Sequence, residues 1–310
     1  MSTLDFSTKI GSKRFSNPIF TASGCASSGQ ELSQFFPLTE LGAIVTKSIM
    51  TKSRTGRLTP RMAETPSGML NSIGLQGPGI DAFLENDIPW LVEQKAKIIV
   101  SIAGETVDEY GVLSRRLRAV SGISAVEVNI SCPNVENRGQ VFACHPDTSV
   151  AVIEAVRRNI GGELPIIAKL SPDVTHIVEI AAAVINAGVD GLALINTLLG
   201  MVIDTNSMRP KLAGKTGGLS GPAIRPVAVR AIYQVHQAFP NTPIVGMGGV
   251  ASGRDAFELI LAGASAVSIG TASFGNPNAA MLVKSQLSDL LIERGFNDFR
   301  DAIGFAHRGL

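Results

Sequence analysis

Lys47 and Lys169 each stand at the end of a short apolar run, residues 43–47 and 165–170. Burying an unpaired ammonium is costly, so a lysine in such a place is seldom structural. It can bind a carboxylate, set positive charge beside N1 of a flavin, or form a Schiff base. Residue types alone leave all three roles open. Asn71, Asn129, Asn134 and Asn196, the last followed by Thr197, offer planar amides with a donor and an acceptor each. That chemistry suits the amide edges of a heterocyclic ring. Cys132 lies between Ser131 and Pro133 in Asn129-Ile-Ser-Cys-Pro-Asn134. A thiol of ordinary pKa about 8.5, lowered by nearby lysines, can act as a general base. Cys25 and Cys144 read instead as inert core thiols. Two glycine-rich turns, Gly246-Met-Gly-Gly-Val250 and Ile269-Gly-Thr-Ala-Ser273, place Gly248, Gly249, Gly270 and Thr271 after the last two apolar runs. Backbone N–H groups at such turns hold phosphate, so the ligand is a phosphorylated substrate or a mononucleotide cofactor.

Lys47, Asn129, Lys169, Asn196 and the two glycine-rich turns each close or directly follow an apolar run. The runs are residues 18–22, 43–47, 98–103, 125–130, 165–170, 191–196, 243–247 and 266–270. They lack polar alternation, which predicts strands of a parallel sheet covered on both faces. Helical spacing lies between them. In residues 175–188, Ile177, Ile180, Ala181, Val184 and Ile185 share a face, and Gly188 suits the C′ position. Ser252 is a good N-cap for a helix that stops at Gly263. The unit also repeats: Ile185-Asn-Ala-Gly-Val-Asp-Gly-Leu-Ala-Leu-Ile-Asn196 aligns with Ile260-Leu-Ala-Gly-Ala-Ser-Ala-Val-Ser-Ile-Gly-Thr271.

Eight such units predict an α/β fold, a (β/α)8 TIM barrel, in preference to a doubly wound open sheet. Chemistry in that barrel sits at the C-terminal strand ends: Ser23, Lys47, Ser101, Asn129, Lys169, Asn196, Gly248-Gly249 and Gly270-Thr271. The connections 48–80, 131–147 and 197–221 are expected to be long loops over that mouth. Residues 4–15, turning at Gly11-Ser12, predict an N-terminal hairpin that plugs the barrel bottom. No linker divides the chain, so residues 1–310 are expected to form one domain.

Composition narrows the function classes. Lys and Arg number 27 against 26 Asp and Glu, and a net charge of +1 offers no basic stripe for nucleic acid. Hydrophobic residues at 45% and charged residues at 17% exclude disorder. The mean hydropathy of +0.25 raises the membrane question. No apolar run approaches the roughly 20 residues needed to span a bilayer, and residues 1–20 have no signal-peptide core, so no membrane partner is expected. Three cysteines without a CxxC spacing argue against disulfides and a metal site, and for a cytoplasmic protein. The remaining apolar excess predicts subunit contacts.

Asn129-Ile-Ser-Cys-Pro-Asn134, Thr65-Pro-Ser-Gly-Met-Leu-Asn-Ser-Ile-Gly-Leu-Gln76 and Gly217-Gly-Leu-Ser-Gly-Pro-Ala-Ile-Arg-Pro226 occur in the order seen in the class 1 dihydroorotate dehydrogenases, and the chain resembles that family. The resemblance runs from Asn17-Pro-Ile19 to Asn276-Pro277. Cys132 and the lack of an N-terminal membrane extension set it apart from class 2, which typically has serine as the base. The stretch 217–226 and Ile195-Asn-Thr-Leu-Leu-Gly200 look most like the class 1B catalytic subunit.

The resemblance implies FMN held by Ser23, Lys47, Ser48, Ser101, Asn129, Lys169, Ile195, Gly221, Gly248, Gly249, Gly270 and Thr271. It implies dihydroorotate bound by Lys47, Asn71, Ser72, Ile73, Gly74, Leu75, Asn129, Asn196 and Thr197. Cys132 would take the C5 proton while hydride passes from C6 to the flavin, giving orotate and FMNH2. It further implies a homodimer core joined to an FAD and iron–sulfur subunit in a heterotetramer that reduces NAD. With three cysteines and no GxGxxG, this chain is not expected to hold that cluster itself. Ser101 stands where the family has asparagine, and Gly77 and Arg138 depart from the 1B pattern. The rival readings are a dihydropyrimidine dehydrogenase-like flavin subunit, a Schiff-base aldolase using Lys169, and a barrel serving only as a scaffold.

Overall fold

A computed structural model describes residues 4–130 and 145–309. The eight apolar runs form strands β1 (Ile19–Thr21), β2 (Ile44–Val45), β3 (Ile98–Ile102), β4 (Ile123–Asn129), β5 (Ile166–Lys169), β6 (Gly191–Leu194), β7 (Ile244–Met247) and β8 (Ala266–Ile269). Their hydrogen-bonded order is β1-β8-β7-β6-β5-β4-β3-β2, and every pairing is parallel. A parallel bridge from Phe20 to Ala43 joins β1 to β2 and closes the (β/α)8 barrel. Closure removes both sheet edges, which a purely apolar open sheet would leave exposed.

The unbroken hydrophobicity of the strands conceals a two-residue alternation. Ile99, Ala125, Ile167, Ala193, Val245 and Ala266 form a cluster inside the barrel. Their strand neighbours Ile98, Val126, Ile166, Leu192, Ile244 and Val267 belong to a separate cluster shared with the surrounding helices. Both faces are dry, so both need apolar residues. Two positions nearer the C-terminal ends, the inward parity delivers Ser101, Glu127, Lys169, Met247 and Ser268. Below the apolar layer lies the expected hairpin, Thr8–Ile10 against Lys13–Phe15. Ile10 and Phe15 enter the interior cluster, and the Phe15 ring lies 5.0 Å from that of Phe20. Gly11 at the turn rests against Pro165 and Asp190, which precede β5 and β6.

Helices Ile88–Glu93, Val107–Arg118, Pro146–Ile160, Ile177–Asn186, Arg225–Ala238, Gly253–Ala262 and Ala279–Glu293 follow β2 to β8 in turn. The expected cap at Ser252 is a full capping box: its hydroxyl accepts from Asp255 N–H, and the Asp255 carboxylate accepts from Ser252 N–H. The crossover after β1 differs. It holds the short 3-10 turns Leu32–Gln34 and Leu38–Glu40, because Gly24, Gly29, Pro37 and Gly42 break any longer helical run. Among the described residues no helix is long and apolar enough to cross a membrane.

The long connections require a correction. Residues 48–80 and 197–221 are not simple loops. They contribute Met62–Thr65, Gly68–Asn71, Leu198–Met201 and Thr216–Ser220 to one antiparallel four-stranded sheet over the mouth. Thr216–Ser220 pairs with Gly68–Asn71 across a separation of about 150 residues, a pairing that no local signal announces.

Candidate active site

A cavity of about 530 Å³ lies between the C-terminal strand ends and this mouth sheet, within the usual range of roughly 300–1,000 Å³ for ligand sites. Ser23, Lys47, Ser48, Asn129, Lys169, Ile195, Asn196, Thr197, Gly221, Gly248, Gly249, Gly270 and Thr271 all line it. So do Asn71, at the end of a mouth-sheet strand, and Ile73 and Leu75 in the segment that follows it. The Leu194–Ile195 peptide at the end of β6 is cis.

Other expected residues lie elsewhere. Ser72 is buried behind the wall, where its hydroxyl accepts from Arg57 Nη1 at 3.0 Å. Gly74 sits against Arg57 outside the lining. Gly77 exchanges backbone hydrogen bonds with Arg54. Ser101 is 0% exposed and stands one layer behind the cavity. Cys132, Asn134, Arg138 and Cys144 lie outside the described residues.

The wall is tied together by a chain of hydroxyls. Ser48 Oγ lies 3.2 Å from Ser23 Oγ and 2.9 Å from Ser101 Oγ, and it accepts from Asn129 Nδ2 at 3.0 Å. Asn196 Nδ2 donates to Asn129 Oδ1 at 3.3 Å, so the two amides are mutually oriented. Asn71 Nδ2 donates to the Gly218 carbonyl at 3.3 Å, which fixes the mouth-sheet amide above them. Thr271 donates to Ser220 Oγ at 2.8 Å and links the strand-8 turn to the same sheet.

Glu127 was not among the expected site residues. It is 2% exposed and faces inward from β4, accepting from Ser101 Oγ at 2.8 Å with its Oε1 3.7 Å from Lys169 Nζ. The signal was present in the sequence. An acidic residue interrupts the apolar run, two residues before Asn129 and hence on the same face. Cys25 also departs from its reading as a core thiol, because it lines the cavity. Burial raises its thiol pKa, while the charges of Lys169 and Lys47 pull it down.

The FMN implied by the resemblance fits this cavity on three counts. The wall carries two lysines and, among the described residues, no carboxylate. Glycine backbone comes close at the strand-7 turn: Gly249 has φ +75°, and a Cβ there would stand 2.8 Å from Arg225 Cβ and 3.0 Å from the Gly221 carbonyl. Finally, Ser268 Oγ, on the floor, is buried with no hydrogen-bond partner among the described residues. Together the lining offers cations, close-approach backbone and amides at distinct places, as a phosphorylated heterocycle requires.

The family model described as "Dihydroorotate dehydrogenase" matches residues 5–291. A relative from Desulforudis audaxviator, named "Dihydroorotate dehydrogenase B (NAD(+)), catalytic subunit", is 51% identical over 292 residues, covering 94% of each chain. A relative of the same name from Desulforamulus reducens is 49% identical over 304 residues, 98% of this chain and 99% of its own. One from Geotalea daltonii, again of that name, is 46% identical over 304 residues with the same coverage.

Proposed function

The chain belongs to the dihydroorotate dehydrogenase family, and from that premise we propose that it oxidises dihydroorotate to orotate in pyrimidine synthesis as the catalytic subunit of an NAD-linked, class 1B enzyme. The observation that carries this reading is the convergence of Lys47, Lys169, Asn71, Asn129 and Asn196 on one cavity bordered by the strand-7 and strand-8 glycines. That arrangement supplies a cation for the substrate carboxylate and amides for the ring edges. Membership in this family leaves the Schiff-base aldolase without support.

FMN, when bound, supplies the acceptor for the hydride leaving C6. The backbone at Gly248, Gly249, Gly270 and Thr271 would hold its phosphate, as N–H groups at strand-7 and strand-8 turns do in this fold. Lys169 would set positive charge beside the ring, and Lys47 would take the substrate carboxylate. Asn71, Asn129, Asn196 and Thr197 would fix the substrate ring, and the mouth sheet would exclude water above it. The mutual hydrogen bond of Asn129 and Asn196 pre-orients two of these amides, so their ordering cost is met before substrate arrives. Cys132, three residues beyond Asn129, would remove the C5 proton.

The electrons would pass to a separate subunit carrying FAD and an iron–sulfur centre. The words "catalytic subunit" in the relatives' names support a second chain. Leu199, Met201 and Ile203, each about half exposed, give the mouth sheet and its neighbouring segment an apolar outer surface suited to subunit contact. A homodimer core within a cytoplasmic heterotetramer is the assembly this reading implies, with residues 1–310 as one FMN-binding unit.

Anaerobic mixing of FMN-loaded protein with dihydroorotate tests the proposal. Bleaching of the flavin band is expected, and Cys132→Ala should retain FMN while reduction slows by at least about 100-fold, the usual contribution of a general base. A chain that binds no FMN, or bleaches with dihydrouracil but not with dihydroorotate, would refute the reading. Unchanged kinetics in Cys132→Ala would remove that thiol from the mechanism.

A further inference from the structure

We propose that Glu127 is a positioning residue for the cofactor's ring: it holds and partly offsets the charge of Lys169, and so sets the two-electron potential of bound FMN. The inference rests on the FMN reading above and adds to it a residue that does not line the cavity.

The barrel interior gives no packing reason for a carboxylate at this position. The layer beneath is apolar, built from Ile99, Ala125, Ile167 and Ala193. A buried carboxylate is costly unless it is both hydrogen-bonded and paired with a cation. Glu127 has both. Ser101 is its register partner on β3 and donates to Oε1 at 2.8 Å. Lys169 approaches the same oxygen from β5, which pairs with β4 on its other side. At 3.7 Å the ammonium is within ionic contact but beyond hydrogen-bond length. Lys169 therefore keeps its donors for the cavity it lines, while its charge is partly balanced from behind.

The consequence is electrostatic. Reduced flavin carries more negative charge at its N1–C2 edge than oxidised flavin, so a bare lysine beside that edge favours the reduced form. A carboxylate behind the lysine weakens this preference, and in a water-poor site the effect is poorly screened. Ser101 sharpens the assignment. Its hydroxyl lies between the cavity-lining Ser48, 2.9 Å away, and Glu127, to which it donates, so it links the carboxylate to the cavity wall.

The test is the midpoint potential of FMN bound to the full-length protein, measured against a reference dye, in Glu127→Gln. The amide is nearly isosteric and its carbonyl still accepts from Ser101, so folding should be retained. We expect the variant to favour reduced over oxidised FMN by about tenfold more than the parent, a rise of about 30 mV for a two-electron couple. In a Lys169→Gln background the same substitution should produce a smaller rise, because only the direct through-space part of the carboxylate's effect remains once the lysine it positions is gone. Glu127→Asp, which keeps the charge but withdraws it from Lys169, should shift the potential in the same direction by less, and it serves if the glutamine variant fails to fold. A potential unchanged from the parent, with FMN still bound, overturns the inference, as does an equal shift in both backgrounds. Loss of the cofactor reading itself has a different signature, a parent chain that binds no FMN.

Discussion

Replacing Gly249 by alanine tests whether the strand-7 turn works through close approach of its backbone. Gly249 has φ +75°, a conformation that costs an L-residue about 1–2 kcal/mol. The new Cβ would lie 2.8 Å from Arg225 Cβ, 3.0 Å from the Gly221 carbonyl oxygen and 3.2 Å from the Arg225 backbone nitrogen. Two of these three neighbours are main-chain atoms and cannot rotate away, so overpacking adds about 1–3 kcal/mol. The total of about 2–5 kcal/mol must appear in one of two places. If the turn holds, the native state bears it and the melting temperature falls by roughly 2–4 °C per kcal/mol. If the turn yields, its N–H groups move and FMN affinity falls tenfold for each 1.4 kcal/mol.

Melting curves of the apo protein and FMN titration by fluorescence quenching, taken together, account for both routes. Gly275→Ala is the internal control, since its Cβ would meet nothing within 4 Å. That variant should match the parent in both measurements. If Gly249→Ala also melts with the parent and binds FMN within about threefold of it, a difference worth only about 0.7 kcal/mol, the close-approach reasoning is refuted.

Two further outcomes concern the scaffold. Ser252→Ala removes half of the capping box at the helix that follows the same turn, and should cost about 1 kcal/mol in a denaturant melt with no change in the denaturant slope; an unchanged midpoint would show the cap to be idle. His236 is held below the ordinary histidine pKa of 6.5, first by burial and then by the facing ring of His307, whose centroid lies 5.0 Å away. Below about pH 6.5 the unfolded chain therefore binds a proton that the folded chain resists, and stability declines as pH falls toward the lowered folded value. The melting temperature of His236→Gln should drop less than the parent's between about pH 7.5 and about pH 5.5, and parallel slopes would contradict that linkage.

The sequence by itself determined the barrel and most of the cavity wall. Eight apolar runs, each closed by a polar residue or glycine, are sufficient because strand parity and chain direction carry those residues to one mouth. Lys47, Asn129, Lys169, Asn196 and the strand-7 and strand-8 glycines could be placed from local spacing alone. What it could not supply depends on contacts between distant segments. The mouth sheet joins residues 62–71 to residues 198–220, and its pairing brings Asn71 to the cavity, with Ile73 and Leu75 lining it from the segment that follows while Ser72 and Gly74 do not. Ser101 and Glu127 meet only because β3 and β4 are neighbours in register, and that meeting engages the Ser101 hydroxyl and brings a carboxylate behind Lys169. Periodicity fixes the face a side chain takes, whereas depth in the wall and choice of partner are settled by which strand lies alongside.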